Sequence, residues 1–136
     1  MLQCTKKTIE KPLKFNFENL EVWKKAVDFS VSVIDLLENL KSNSNHLRLK
    51  EQLEASSTSV AANIAEGKGR QSQKEFIQFL YIARGSLFET ITFLTIFHRK
   101  KWINKTQLDD INSCGQEISK MISCLINSIR NSMGKK

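Results

Sequence analysis

Glycine and proline are scarce in this 136-residue chain, with five of the first and one of the second (Pro12). So few breakers exclude a fold of many short strands joined by tight turns and leave room for long uninterrupted helices. Cysteine is scarce as well. Cys4, Cys114 and Cys124 are odd in number, scattered and free of any CxxC spacing, which argues against a disulfide framework or a zinc site and fits a reducing, cytoplasmic setting. No unbroken run of about 18 apolar residues occurs, so no membrane-spanning helix is expected. The first fifteen residues, MLQCTKKTIEKPLKF, lack the apolar stretch of a secretory leader.

Chemistry-bearing patterns are missing too. The two histidines, His46 and His98, lie in no HExxH or other ligand-spaced motif, and a surface or capping role suits both better. GxSxG, P-loop and GxGxxG patterns do not occur. The hydroxyl-rich run Ser56–Ser59 has no base beside it and reads as packing. Asp109 and Asp110 fall in a helix first turn, where negative charge suits the dipole. The Glu-x-x-His pairs by which helical bundles hold metal are lacking. The chain therefore reads as a non-enzyme with no cofactor and no metal.

What is present is helical periodicity. A first helix is predicted from Glu18 to Leu40, with Leu20, Trp23, Val27, Ile34 and Leu37 at i, i+3, i+4 spacing and Ala26, Val33 and Leu40 beside them. The polar stretch Lys41–Asn45 ends it. A second runs from His46 to Glu66 on Leu49, Leu53, Ser56, Val60 and Ile64, with small residues over 55–62 that let a neighbour approach, and Gly67 is expected to stop it in the left-handed conformation. A third opens on the capping box Ser72-Gln73-Lys74-Glu75 and runs to Arg99. Its stripe Phe76, Leu80, Ala83, Leu87, Ile91 and Leu94 is widened by Phe79, Ile82, Phe93 and Phe97. That surplus means either a helix buried on two sides or a surface for a partner. A fourth runs from Asn104, with Gln107 three residues on as a second capping-box-like pair, to Asn131 on Leu108, Ile111, Ile118, Ile122, Leu125 and Ile129. Short connections favour antiparallel neighbours, so the expected fold is all-α: an up-down-up-down four-helix bundle over 15–131, flanked by a basic tail over 1–14 and a short basic tail over 132–136.

The net charge of +7 is unevenly spread. Residues 1–14 carry +3, residues 99–105 carry +4 and residues 130–136 carry +3, whereas 15–98 and 106–129 are slightly negative. Positive charge concentrated in tails and one turn suits contact with a polyanion, although it also serves simple solubility. In the expected topology, Lys68, Arg70 and Lys74 join the tails at one end of the bundle. Arg99, Lys100, Lys101 and Lys105 crown the other, near Lys41 and Arg48.

One cluster goes beyond generic patterning: Asn63-Ile64-Ala65-Glu66-Gly67-Lys68-Gly69-Arg70. Asn63, Glu66 and Gly67 read first as structure, Asn63 capping carbonyls and Glu66 pairing with Arg70 or a neighbouring helix. Lys68 and Arg70 suit equally a solvated turn or a phosphate contact. Together with Phe17–Ala26 (around Trp23), Gln52-Leu53 and Phe79–Glu89, which contains Gly85, Ser86 and Glu89, this segment resembles the 23S rRNA-intervening sequence proteins, also called S23 ribosomal proteins. The resemblance covers about residues 15–128 and leaves the basic N-terminal tail outside it.

The resemblance implies a single antiparallel four-helix bundle, often a homopentamer, with no enzymatic activity or cofactor, related to the accessory proteins of diversity-generating retroelements. It carries no binding residues over, so the candidate nucleic-acid contacts rest on charge: Lys68, Arg70, Lys74, Arg99, Lys100 and Lys101. The expected function is a bacterial, oligomeric accessory bundle binding RNA or DNA through phosphates. The alternative is a protein-interaction scaffold that docks a partner such as a reverse transcriptase without touching nucleic acid. The mid-helix pair Gly85-Ser86 costs helix stability and is expected to mark a close helix crossing, within or between subunits.

Overall fold

The computed structural model describes residues 14–40 and 45–134; the basic N-terminal tail, most of the polar turn after the first helix, and Lys135 and Lys136 lie outside them. Among the described residues a 3-10 turn, Asn16–Asn19, leads into four helices: α1 (Glu21–Glu38), α2 (Leu47–Lys68), α3 (Gln73–Arg99) and α4 (Lys105–Met133). Each helix packs on two neighbours, α1 and α3 each lying against α2 and α4, with α2–α3 the most extensive seam. The neighbours run antiparallel. Asn16 in the turn ahead of α1 reaches the Lys68 carbonyl at the end of α2, and the His46 ring ahead of α2 lies against Trp102 beyond α3. On the other side Arg84 of α3 meets Ser123 of α4, and Lys25 of α1 meets Glu117 of α4.

Local chemistry sets the boundaries. Ser72 accepts from the Glu75 backbone N–H at the start of α3. Asn104 and Gln107 form a reciprocal capping box at the start of α4, both hydrogen bonds at 2.8 Å, which pairs two otherwise orphan N–H groups. The start of α1 falls later than the sequence pattern suggests. Glu18 belongs to the 3-10 turn, and extended backbone at Leu20 separates that turn from the helix. Phe17 meets Trp23 edge to face at 5.2 Å and fixes the angle of entry.

The core shows which apolar stripe is central. On α1 the buried residues are Val22, Ala26, Phe29, Ser30, Val33 and Leu36, whereas Leu20, Trp23, Val27, Ile34 and Leu37 lie half-buried at the flank. The helix serves two seams, so its apolar face is wide and its axis is turned by about one residue from the expected one. Among the described residues α3 alone is long and apolar enough to cross a membrane by length and composition, but within the bundle eight of its residues are buried, among them Phe76, Leu80, Leu94 and Phe97. Buried hydroxyls are paired: Ser30 Oγ donates to the Ser57 carbonyl at 2.8 Å, and Ser56 and Thr90 share a hydrogen bond of 2.8 Å across α2 and α3.

Gly67 corrects the sequence reading. It is a buried residue inside α2, without the left-handed conformation expected of a helix stop, and α2 ends one residue later against Gly69. Its glycine serves packing instead. A Cβ there would stand 2.7 Å from Phe79 Cβ and 3.0 Å from the Phe76 ring, so the missing side chain lets α2 and α3 close on each other. The close crossing expected at Gly85 is absent within the subunit: Gly85 is exposed, and a Cβ there meets nothing within 4 Å.

Candidate nucleic-acid interface

The six basic residues singled out by charge fall into two groups, Lys68, Arg70 and Lys74 where α2 turns into α3, and Arg99, Lys100 and Lys101 where α3 turns into α4. Lys74 and Arg99 are separated by nearly the whole of α3, about 37 Å at helical rise. They form two surfaces, not one.

The first surface is partly compensated. Arg70 forms an ion pair with Glu66 at 2.6 Å, and its guanidinium lies 4.8 Å from the Phe79 ring centroid. Lys68 extends its ammonium over Phe76 at 5.7 Å. These contacts hold both cations against the side of α3. Lys74 is exposed in the first turn of α3. Asn63 lies mid-helix and donates to both the carbonyl and the hydroxyl of Ser59 at 2.8 Å, so it braces α2 internally and does not cap its end. Ser86 donates to Ser59 Oγ at 3.0 Å, and Glu89 is exposed on the outer side of α3.

The second surface is less compensated and more firmly built. Arg99, Lys100 and Lys101 are exposed, and none joins an ion pair among the described residues. The backbone beneath them forms a Schellman turn. The Trp102 N–H donates to the Phe97 carbonyl and the Lys101 N–H to the His98 carbonyl, both at 2.9 Å. The apolar contact that accompanies this turn is Trp102 against Phe97, edge to face at 4.9 Å, and the His46 ring lies tilted against Trp102 at the same distance. The turn needs one residue in the left-handed region, and that residue is Lys101, with φ 66°. Glycine suits this position, whereas a side chain costs about 1–2 kcal/mol there. Arg48, in the first turn of α2, lies at this same end of the bundle.

A third cationic cluster was not evident from charge runs. On the α3–α4 seam, Arg84 lies over Tyr81 at 5.0 Å and near Phe88 at 6.0 Å, and it donates to Ser123 Oγ at 3.1 Å. Arg130 donates to the Tyr81 hydroxyl at 2.7 Å and lies 5.6 Å from the same ring. The contact of Arg84 with Tyr81 and Phe88, three and four residues away, is legible from helical spacing. The approach of Arg130, 46 positions further on, is not.

Among the described residues no group of three or more His, Cys, Asp and Glu side chains could hold a metal ion. Cys114, half-buried on α4, has its thiol pushed above the ordinary range, first by burial and then by the nearby carboxylates Glu117 and Asp28, against the opposing pull of Lys25. This environment holds the thiol protonated, the opposite of what a nucleophile needs.

A family model described as 23S rRNA-intervening sequence protein matches residues 18–124. The fold is similar to the 1.70 Å crystal structure of a protein of unknown function from the S23 ribosomal protein family of Bacteroides thetaiotaomicron. The two share 31% sequence identity over 77% of this chain and 97% of that one, with a TM-score of 0.69. No curated protein matches the chain.

Proposed function

The chain belongs to the 23S rRNA-intervening sequence protein family, and from that premise we propose that it is a non-catalytic, cytoplasmic accessory bundle that binds RNA or DNA through phosphate contacts. It acts as an oligomer of identical copies, a pentamer by its family resemblance, so that each basic patch is repeated and avidity rises. Arg99, Lys100 and Lys101 make the principal contacts, and Lys68, Arg70 and Lys74 form a lesser patch at the other end.

The observation that carries this reading is Lys101. A lysine occupies the left-handed position of a Schellman turn, where glycine relieves backbone strain. It stands in a row of three exposed cations with no carboxylate partner among the described residues. A charge kept at a conformational cost, on a turn stiffened by two aromatic contacts, suits a rigid platform for an anionic backbone. Binding of this kind releases counterions, with log K falling against log salt by about 0.9 per phosphate for duplex and 0.7 for single strands.

The test is a salt series of binding to RNA and DNA, with particle mass followed by light scattering. Arg99→Glu, Lys100→Glu and Lys101→Glu together should weaken binding and flatten the slope by about two to three. An unchanged slope removes these residues from the interface, and no binding even at low salt refutes the nucleic-acid reading.

A second reading, a scaffold for a protein partner, is supported by the apolar residues left uncovered on α3: Tyr81 37%, Ile82 50%, Phe88 55% and Ile96 41% exposed. Apolar docking is nearly indifferent to moderate salt, so the same titration separates the two.

A further inference from the structure

We propose that Tyr81, Arg84, Phe88 and Arg130, on the seam between α3 and α4, form a platform for single-stranded nucleic acid, with a base stacking on Phe88 and phosphates held by the two guanidiniums. This rests on the nucleic-acid reading above but uses a different surface from the α3–α4 turn.

The charges come first. Two guanidiniums converge on one tyrosine ring, at 5.0 and 5.6 Å from its centroid, and neither meets a carboxylate among the described residues. Like charges gathered at one ring repel each other, and among the described residues they are met by ring faces and hydroxyls, not by a carboxylate. An anion between or beside them supplies what the protein leaves out. The donors are also prepared. Each guanidinium has five N–H groups, and each is oriented by one neutral partner, Ser123 for Arg84 and the Tyr81 hydroxyl for Arg130, which leaves most of the fork for phosphate oxygens.

The apolar part points to bases. Phe88 is a large ring 55% exposed, and its aromatic neighbour Tyr81 is already occupied in holding the arginines. Gly85 lies between them, four residues after Tyr81 and three before Phe88, and the space a Cβ would take is open. That open space lies along the helix between the two rings, and a flat base can enter it. Lys74, Tyr81 and Phe88 are spaced by sevens, so they run along one line of α3 over about 21 Å and join the platform to the basic end of the bundle. A flexible strand can follow that line and present base faces to it, whereas a duplex keeps its bases stacked inside.

The test is fluorescence anisotropy of the full-length protein with labelled oligo(dT) and oligo(rU), and with a duplex of the same length, across a salt series. Particle mass is measured in the same samples. Phe88→Ala, at an exposed position, should weaken single-strand binding about 5- to 100-fold, leave its salt slope alone and spare the duplex. Arg84→Gln with Arg130→Gln should reduce the single-strand slope by about 1.4. If both variants bind single strands like the parent while the Arg99, Lys100 and Lys101 reversal abolishes binding, the platform is overturned and the nucleic-acid reading stands. If the parent binds neither form at low salt, both fall. A change of particle mass in Phe88→Ala makes the patch a contact between copies and overturns the platform whatever the binding does.

Discussion

Replacing Gly67 by alanine tests the packing account of the α2–α3 seam. In an exposed helix the substitution is favourable, by up to about 1 kcal/mol, because alanine has the higher helix propensity. At Gly67 the new methyl stands 2.7 Å from Phe79 Cβ, 3.0 Å from Phe76 Cδ1 and 3.3 Å from the Phe76 carbonyl oxygen. Carbon atoms rest at about 3.5–4.0 Å, so the overlap with Phe79 is near 1 Å. Phe79 Cβ is bonded directly to the backbone and cannot rotate away, so relief requires α2 and α3 to separate along a seam that also carries the Ser56–Thr90 hydrogen bond. Overpacking costs about 1–3 kcal/mol, and an overlap of this size against an atom that cannot rotate away belongs in the upper half of that range, so after the propensity gain a net loss of about 1–2 kcal/mol remains. For a domain of this size that lowers the melting temperature by roughly 3–8 °C. Urea unfolding followed by far-UV circular dichroism should show a lower midpoint at unchanged slope. Gly85→Ala is the matched control. With nothing within 4 Å of the new methyl, it should stabilise the isolated subunit by about 0.5–1 kcal/mol, seen as a higher midpoint. A Gly67→Ala protein as stable as the parent would refute the argument. A loss of stability in Gly85→Ala that depends on protein concentration would mean that a second copy covers that face.

Lys101→Gly should stabilise the bundle by about 1 kcal/mol, read from the same urea midpoint, because it relieves the left-handed φ of 66°. If Lys101 contacts phosphate, the same variant should lose about one contact from the salt slope, so stability and binding move in opposite directions. Site-resolved alkylation read by mass spectrometry should modify exposed Cys124 faster than Cys114, whose thiol is half-buried and held protonated. Glu117→Gln should speed Cys114 and lower the pH at which its labelling begins, since one of the charges opposing the thiolate is gone. Burial remains, so Cys114 should still trail Cys124, and equal rates would contradict the environment described for it.

The four helices and their antiparallel order follow from the sequence alone. Apolar spacing, the caps at Ser72 and Asn104 and the short connections all act within one helix or one turn, and such local signals survive whatever packs against them. The pairing of Glu66 with Arg70 is likewise a one-turn contact. Three features were decided only when the helices met. Gly67 looks like a helix stop in sequence, and only the nearness of Phe79 shows that its bare backbone serves a crossing. The central stripe of α1 runs through Val22, Phe29 and Leu36 because two neighbours divide a wide apolar face between them, and no single-helix pattern says where that division falls. Arg84 and Arg130 converge on Tyr81 because α3 and α4 run antiparallel in one particular register. Charge runs are visible along the chain, but charges that meet across a seam depend on that register, which is set by the packing of every side chain between them.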